Sequence, residues 1–458
     1  MNTGNYRHEN SDTMKLDISN VLSDQIGDRH GITPDEYYKL SKIARSIHEN
    51  VYRQKTNGEL GFTKLPYDTD MLETIQFHAN RQKRKWQSIV LFGIGGSALG
   101  ANMLFKALCH SFHNELTAGI KETPNLYILD NIDPETLVAL REIIDPSETL
   151  LILVTKSGGT IETWANYFAY LKLFNPSLRT EQVIAITDPK KGFLRMLAEQ
   201  NAWQCLDIPS DVGGRFSVLS PVGLFPAALL GLDIVSIIEG AKDMDHHSDS
   251  CEWKDNPALQ MATVTCYLLT QKSKSISVLL PYSNAMLCFA DWYRQLWAES
   301  LGKRFSVSGK EIFTGQTPIK ALGTTDQHSQ IQLYVEGPND KLITFIKINS
   351  FRKDAGFHSE VGNTPFKHIE VLRLSELMNI ELDGTRKALT ENHRPNILIE
   401  IPEISEYTIG KLVYFYEMAT CYAGKYLDID AFDQPGVESG KKLAKSRIEE
   451  IYKIRRAL

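Results

Sequence analysis

The sequence lacks any pairing pattern among its cysteines. Its six cysteines, at positions 109, 205, 251, 266, 288 and 421, are scattered and form no C-x-x-C pair. A chain of 458 residues buries a large enough core to be stable without disulfides. The first twelve residues are polar and lack the apolar centre of a signal peptide. We therefore expect reduced thiols and a cytoplasmic protein.

Long apolar runs and an excess of basic residues are also missing. The most apolar stretch, Val218 to Ile238, is interrupted by Pro221, Pro226 and Asp233, which favours a buried segment over a membrane span. The net charge of −6 argues against general binding to nucleic acids or anionic membranes. A small anionic substrate is compatible with this charge, because local donors build a phosphate pocket.

Units of strand, turn and helix repeat along the chain. This order predicts an α/β fold with parallel sheets covered on both faces and ligands at the carboxyl ends of the strands. Strands are predicted at Ile89–Phe92, Leu126–Leu129, Leu150–Val154, Val183–Thr187, Ile331–Val335 and Leu342–Ile348, and a second unit starts near Ile276. His246–Ser250 is predicted to be a polar loop. The predicted divisions are a helical segment 1–60, a first domain 61–245, a second domain 246–406 and a helical tail 407–458.

Two glycine-containing turns are candidates for anion binding. The first is Gly93–Ser97, where backbone amides near Gly96 and Ser97 can face an anion, although a purely structural turn is the alternative. The second, Thr155–Thr160 (TKSGGT), offers three hydroxyls and the ammonium of Lys156. Its alternative is a helix-capping cluster, which is compatible with phosphate binding. Neither turn has a Walker A or G-x-G-x-x-G order, which argues against a dehydrogenase.

Three further side chains suit acid–base or oxyanion chemistry. Arg215 follows two glycines and offers planar, charged donors for an oxyanion. Glu299 lies near a helix end with Gln295 one turn earlier, and a carboxylate there can serve as a general base. His328, in a polar loop, is a candidate acid–base group. For each of them an ordinary exposed side chain is the alternative.

The last candidates are two lysines near the C-terminus and a pair of histidines. Lys441 or Lys442 stands near the start of a helix, which is unfavourable for the helix dipole and hints at an anionic or oxygen-rich partner. The alternative is the basic face of an amphipathic helix. His110 and His113 have a possible metal spacing but no further ligands nearby in sequence, so we expect no metal site.

Six segments together resemble the phosphoglucose isomerase family, from about Ile89 to the C-terminus. Two are the most specific: DVGGRFSVLSPVG at Asp211–Gly223 and YLDIDAFDQPGVESGK at Tyr426–Lys441. GIGGS, K-S-G-x-T, Q-x-x-x-E-S-x-G-K and D-Q-H-S occur in the family's order. The resemblance implies two sugar-isomerase-type doubly wound domains with a long helical tail. It also implies a homodimer with shared active sites and no cofactor.

The resemblance also implies a reaction and a role for each candidate residue. The expected reaction is the reversible isomerisation of glucose 6-phosphate and fructose 6-phosphate through a cis-enediol, a step of glycolysis and gluconeogenesis. Glu299 would move the proton, Arg215 would stabilise the enediolate, and Lys441 and His328 would assist ring opening, with His328 supplied by the partner subunit. The residues implied to contact the substrate are Gly96, Ser97, Thr155, Lys156, Ser157, Thr160, Gln295 and Gln434.

The chain departs from the family pattern at two positions of the second turn. Thr155 stands where many members have Ser and keeps the hydroxyl, whereas Gly159 stands where many have Thr and removes one. Two alternatives share the same fold: an isomerase that also accepts mannose 6-phosphate, and a sugar-phosphate sensor without catalysis. A sensor would lack the base or the lysine, and both are present.

Overall fold

A computed structural model describes residues 13–117, 120–175, 177–358 and 364–457. Part of the expected N-terminal segment, residues 1–12, therefore lies outside the described residues. The strands are Lys15–Asp17 (β1), Ser88–Phe92 (β2), Asn125–Leu129 (β3), Thr149–Val154 (β4), Val183–Thr187 (β5), Gln204–Asp207 (β6), Ile276–Pro281 (β7), Lys303–Phe305 (β8), Glu311–Thr314 (β9), Thr317–Lys320 (β10), Lys341–Ile348 (β11) and Asn396–Ile401 (β12).

The helices connect and cover these strands. The longest of them begin at recognisable caps; Thr33, for example, forms a capping box with Glu36. The helices are Ser23–Ile26 (α1), Pro34–Thr56 (α2), Thr69–Gln82 (α3), Leu99–Leu108 (α4), Pro134–Leu140 (α5), Ile161–Phe174 (α6), Phe193–Gln200 (α7), Pro221–Leu229 (α8), Ile234–Ser248 (α9), Pro257–Lys272 (α10), Leu287–Leu301 (α11), Ile331–Glu336 (α12), Leu374–Glu391 (α13), Glu406–Tyr426 (α14) and Glu438–Ala457 (α15).

The first sheet has the order β3-β2-β4-β5-β6, and all its pairs are parallel. Alternate residues of its strands enter different cores: Ile89 and Ile152 pack into the large central core, whereas Val90 and Leu151 pack against α6. Both faces are therefore apolar, as expected for a parallel sheet covered by helices on each side.

The second sheet has the order β1-β12-β11-β7-β10. Its strands pair in parallel except at one edge, where β1 from the N-terminal segment pairs antiparallel with β12. Helix α14 lies in the interior, buried from Thr408 through Gly424, because it is apolar on nearly all sides.

The prediction of two parallel α/β units with a helical tail is confirmed; the domain boundaries stay predictions.

Two local predictions are wrong. Ile331–Val335 belongs to helix α12, where the amide of Tyr334 donates to the carbonyl of Gln330; a short apolar run alone does not distinguish a strand from a helix. His246–Ser248 is the last turn of α9 and not a loop, because the backbone hydrogen bonds of the helix continue to its end, where the amide of Asp249 donates to the carbonyl of Asp245 at 3.1 Å. His246 and His247 face solvent from this helix end, whereas Ser248 is buried and donates to the carbonyl of Met244 at 2.9 Å.

None of the described helices is long and apolar enough to cross a membrane.

Candidate active site

The candidate site lies at the carboxyl ends of β2 and β4. The chain leaves β2 toward β3 on one side, and the strands after β4 continue on the other, so these two ends border a crevice. The crevice opens into a cavity of about 730 Å³. Its lining residues are Ile94, Gly95, Gly96, Ser97, Thr155, Lys156, Ser157, Thr160, Glu162, Asp188, Lys191, Gly214, Arg215, Gln295, Glu299, Gln434, Val437 and Lys441.

The turn after β2 is pressed against the turn that carries Arg215. A Cβ atom on Gly96 would lie 2.4 Å from the carbonyl carbon and oxygen of Gly214 and 2.9 Å from the amide nitrogen of Arg215. Only glycine permits this approach. The contact places Ser97 and the guanidinium of Arg215 on neighbouring walls of the same cavity.

The turn after β4 presents hydroxyl groups to the cavity. The hydroxyls of Thr155 and Thr160 are hydrogen-bonded to each other at 2.9 Å, and the exposed Ser157 accepts a hydrogen bond from the amide of Gly159 at 3.3 Å. Gly158 has a φ of 70° and packs against the backbone of the loop before α7. The turn is therefore fixed in shape while its hydroxyls reach the cavity.

Lys156 is held by the protein itself. Its Nζ donates to the carbonyls of Ser210 and Val212 at 2.7 and 2.8 Å, and burial lowers its pKa. These two bonds tie the hydroxyl-bearing turn to the segment that leads to Arg215. They leave one of the three ammonium hydrogens for a ligand.

Arg215 is a buried cation with four hydrogen bonds to the protein, which leave one of its five N–H hydrogens, on Nη1, for a ligand. It is 4% exposed and donates from Nε to Ser300 Oγ at 2.7 Å, from Nη1 to Gln434 Oε1 at 2.7 Å, and from Nη2 to the carbonyls of Ala431 and Asp433 at 2.6 and 2.9 Å. Burial lowers the pKa of this guanidinium, but an arginine keeps its charge in proteins. These bonds fix the loop before α15 to the turn of the first domain that carries Arg215.

Glu299 faces Arg215 from the last turn of α11. Its Oε2 lies 3.9 Å from Nη1 of Arg215, and its side chain is 32% exposed. Nε2 of Gln295, one turn earlier, donates to Oε1 of Glu299 at 3.4 Å. The carboxylate is therefore oriented on both sides while remaining accessible from the cavity.

Two residues that support this arrangement were not recognised from the sequence. Ser300 is fully buried and orients Arg215. Lys303, 8% exposed, donates to the carbonyls of Glu299, Ser300 and Asp433 at 2.7, 2.8 and 3.1 Å, and thus caps α11. Both belong to the Q-x-x-x-E-S-x-G-K segment, and this motif is the feature of the sequence that could have identified them.

A third group missed from the sequence is the turn after β5. Asp188 accepts hydrogen bonds from the amides of Lys190 and Lys191, both at 2.9 Å, which lowers the pKa of its carboxyl. The exposed Lys191 lines the cavity and Lys190 does not. The position of Lys191 shortly after the carboxyl end of a parallel strand is the feature of the sequence that could have identified it.

The remaining predicted site residues fall into two groups. Gln434 and Lys441 line the cavity, whereas Lys442 is outside its lining. His328 is exposed at the end of a short turn in the second domain and also lies outside the lining.

The histidine pair considered for a metal site is occupied by the protein. His113 bonds the carbonyl of Pro124 through Nε2 at 3.0 Å. Within the described ranges no group of three or more His, Cys, Asp or Glu residues is placed to hold a metal ion.

Comparison with known proteins gives one family over most of the chain. The model of a family described as "Phosphoglucose isomerase" matches residues 77–456. A glucose-6-phosphate isomerase from Carboxydothermus hydrogenoformans is 39% identical over 435 residues, covering 94% of this chain and 93% of that protein. A probable glucose-6-phosphate isomerase from Methanococcus maripaludis is 37% identical over 437 residues, with coverages of 94% and 93%.

Solved structures have the same architecture. A hypothetical protein from Thermus thermophilus matches with a TM-score of 0.84 and 30% identity, over 95% of this chain and 100% of that chain. A glucose-6-phosphate isomerase from Chlamydia trachomatis matches with a TM-score of 0.71 and 23% identity, over 87% and 74%; this second likeness concerns the fold alone.

Proposed function

This chain belongs to the phosphoglucose isomerase family and is an aldose–ketose isomerase, and we propose that it interconverts glucose 6-phosphate and fructose 6-phosphate in the cavity between β2 and β4. The observation that carries the proposal is that one cavity combines a carboxylate, a buried guanidinium and a hydroxyl-rich turn. The proposed reaction uses no metal and no organic cofactor. Its proposed setting is glycolysis and gluconeogenesis in the cytoplasm.

The phosphate end of the substrate binds at the two turns. The hydroxyls of Ser97 and Ser157 donate to its oxygens, together with whichever of the mutually bonded Thr155 and Thr160 has its hydrogen free, helped by backbone amides near Gly96. Lys156 mainly fixes the shape of this site, because two of its hydrogen bonds go to backbone carbonyls. These contacts hold the substrate chain by one end and orient carbons 1 and 2.

The proton transfer takes place at Glu299. Its carboxylate removes the proton from the carbon next to the carbonyl, which gives a cis-enediol, and returns it to the neighbouring carbon. The guanidinium of Arg215 stabilises the negative charge that develops on the carbonyl oxygen. Gln295 and Gln434 bind substrate hydroxyls; Oε1 of Gln295 is buried and has no hydrogen-bond partner among the described residues.

Ring opening needs an acid and a base at the ring oxygen and the anomeric hydroxyl. Lys441 lines the cavity and takes part in this step. His328 belongs to a turn of the second domain whose Asp326 accepts a hydrogen bond from the amide of Leu322 at 2.7 Å, so the turn is well held although His328 is exposed. We assign His328 to the cavity of a second copy of this chain.

The last helix supports a homodimer. Helix α15 carries Lys441 and also exposes large apolar side chains; Leu443, Ile451 and Ile454, which are 71%, 37% and 53% exposed, lie on one side of it by their helical spacing. Apolar side chains grouped on one surface are typical of an interaction site. A second copy that covers this helix would complete both cavities at once.

The activity is tested with purified protein and fructose 6-phosphate in a coupled assay for glucose 6-phosphate, with and without a chelator. We expect turnover that the chelator leaves unchanged. Mannose 6-phosphate is offered in parallel, because turnover of this epimer would make the enzyme bifunctional. Binding of fructose 6-phosphate without any turnover would contradict the proposal.

The shared site is tested by mixing two inactive variants, Glu299→Gln and His328→Ala. After joint unfolding and refolding, half of the dimers are mixed, and each mixed dimer has one intact cavity. We therefore expect about one quarter of wild-type activity. Two variants that remain inactive after mixing, despite a dimeric mass, would show that His328 acts elsewhere.

A further inference from the structure

The second sheet repeats the connectivity of the first. The chain leaves β7 toward β10 on one side, and β11 leads to β12 on the other. The ends of β7 and β11 therefore border a crevice that corresponds to the one between β2 and β4. Crevices of this kind are where α/β sheets bind their ligands.

A cavity of about 430 Å³ lies at this position, and we call it the second crevice. It is walled by the segments that follow β7, β11 and β12 and by the end of α4. Its polar and charged lining residues are His110, Ser111, Ser283, Asn284, Ser350, Arg352 and Lys353.

Ser283 is the first observation that points to a ligand. The residue is only 7% exposed and lines the second crevice. It precedes a helical turn, yet its hydroxyl makes no capping bond there and no hydrogen bond with any other described residue. The hydroxyl is open to the second crevice, so it can donate a hydrogen bond to a ligand there without breaking one inside the protein.

The charges around Ser283 are the second observation. Arg352 donates from Nη1 and Nη2 to the carbonyls of Leu108 and Ala107 at 2.8 and 2.9 Å, which fixes its guanidinium at the wall and leaves Nε available. Lys353 is exposed and bonds no other described residue. No Asp or Glu occurs among the described residues that line the second crevice, so its charge is positive.

We propose that the second crevice binds a small molecule through a phosphate group, which accepts hydrogen bonds from Ser283 and is paired with Arg352 and Lys353. The molecule is inorganic phosphate or a phosphate ester smaller than the substrate, because this cavity is smaller than the catalytic one, at 430 against 730 Å³. Hydroxyl, guanidinium and ammonium groups together are typical of phosphate recognition.

The test must separate this site from the catalytic cavity. We would first introduce Ser157→Asp, which places a negative charge in the hydroxyl-bearing turn and repels phosphate there. In this background the line width of the ³¹P resonance of inorganic phosphate is followed on titration with protein. Glycerol 3-phosphate is then titrated as a second probe, and tighter binding of this ester would identify esters as the preferred class.

We expect the Ser157→Asp protein to bind phosphate and the additional change Ser283→Ala or Lys353→Ala to weaken that binding about tenfold. Ser283→Ala removes an unpartnered hydroxyl and Lys353 is exposed, so both variants should fold. Lys254→Ala, at another exposed lysine, is the control and should bind as before. Loss of all phosphate binding in Ser157→Asp, or binding that neither added change weakens, would overturn the proposal.

Discussion

Nε of Arg215 donates a hydrogen bond to Oγ of Ser300 at 2.7 Å, and Ser300 directly follows Glu299 in helix α11. The cation assigned to the oxyanion is therefore oriented by the same helix turn that carries the proposed base. We therefore expect a change in the end of α11 to affect the positions of both groups. Lys303 holds this end by donating to the carbonyls of Glu299 and Ser300.

Glu299→Gln tests the proposed base. The amide has the same shape and hydrogen-bonding reach but cannot accept the proton, so we expect an unchanged fold and substrate affinity. We expect kcat to fall about 10²–10⁴-fold in both directions, as measured in the coupled assay. Glu336→Gln, at an exposed helix end in the second domain, is the control. Near-wild-type turnover of Glu299→Gln would remove this residue from the role.

Ser300→Ala tests whether the orientation of Arg215 matters for catalysis. The change leaves a guanidinium N–H without its buried partner, and we expect kcat to fall about tenfold with little change in KM. Ser248→Ala is the matched control, because it also removes a buried hydroxyl, which donates to the carbonyl of Met244 at 2.9 Å, but in helix α9 and not in α11. If both variants lose stability equally and neither loses turnover, the Ser300 bond is only structural.

Lys191→Ala tests a cation that the sequence motifs did not indicate. Lys191 lines the cavity beside the hydroxyl-bearing turn, whereas its neighbour Lys190 does not. We expect a roughly three- to tenfold higher KM for fructose 6-phosphate and a nearly unchanged kcat for Lys191→Ala. The difference from wild type should shrink at high salt, because the exposed charge is screened. Lys190→Ala should behave like the wild type. Equal effects of both changes would indicate that only the summed positive charge near the cavity matters, and not a contact of Lys191 with the substrate.

Gly96→Ala and Gly159→Ala form a pair that tests the geometry of the two turns. The added methyl on Gly96 would lie 2.4 Å from the backbone of Gly214, so we expect a loss of about 1–3 kcal/mol in the free energy of unfolding and a large loss of turnover. A methyl on Gly159 would meet no atom within 4 Å, and this variant should keep its stability and activity. Urea unfolding and the coupled assay measure both. An active, stable Gly96→Ala protein would contradict the close contact.

Five parallel strands, β2, β3, β4, β5 and β11, were predicted from the sequence to within about one residue, whereas β6, β10 and β12 were not predicted. Ile89–Phe92 became Ser88–Phe92 and Val183–Thr187 was found unchanged. Strands buried on both faces have unbroken apolar runs between turn residues, which is a strong signal. The same reasoning was wrong for Ile331–Val335. Five apolar or neutral residues also fit one and a half helical turns, so whether they form a strand or a helix depends on how the segment packs in the folded protein.

The candidate site was predicted from motifs, but its internal contacts were not predictable. The bond between Arg215 and Gln434 joins residues 219 positions apart, and no local pattern encodes it. The ammonium of Lys156 likewise turns to two carbonyls of a distant loop and not directly to the anion site. Local residue types indicate the chemistry, whereas the partners depend on how the two turns and α11 meet.

Glu417 gives a prediction that is independent of the active site. It lies in the buried helix α14 and is fully buried, and neither carboxyl oxygen has a hydrogen-bond partner among the described residues. Burial raises the pKa of this carboxyl well above 4.5, so the folded protein holds it protonated while the unfolded chain ionises it. Because the folded state then binds more protons, this group makes stability fall as the pH rises above about 4.5.

Glu417→Gln removes that proton linkage while keeping the side chain's shape. We expect the free energy of unfolding of the variant to exceed that of the wild type by an amount that grows between pH 5 and pH 8, with a slope of at most about 1.4 kcal/mol per pH unit. Glu417→Met should show the same trend, because it also cannot ionise. A pH-independent difference for Glu417→Gln would mean that the folded protein ionises this residue, and hence that water or an unrecognised cation reaches the centre of α14.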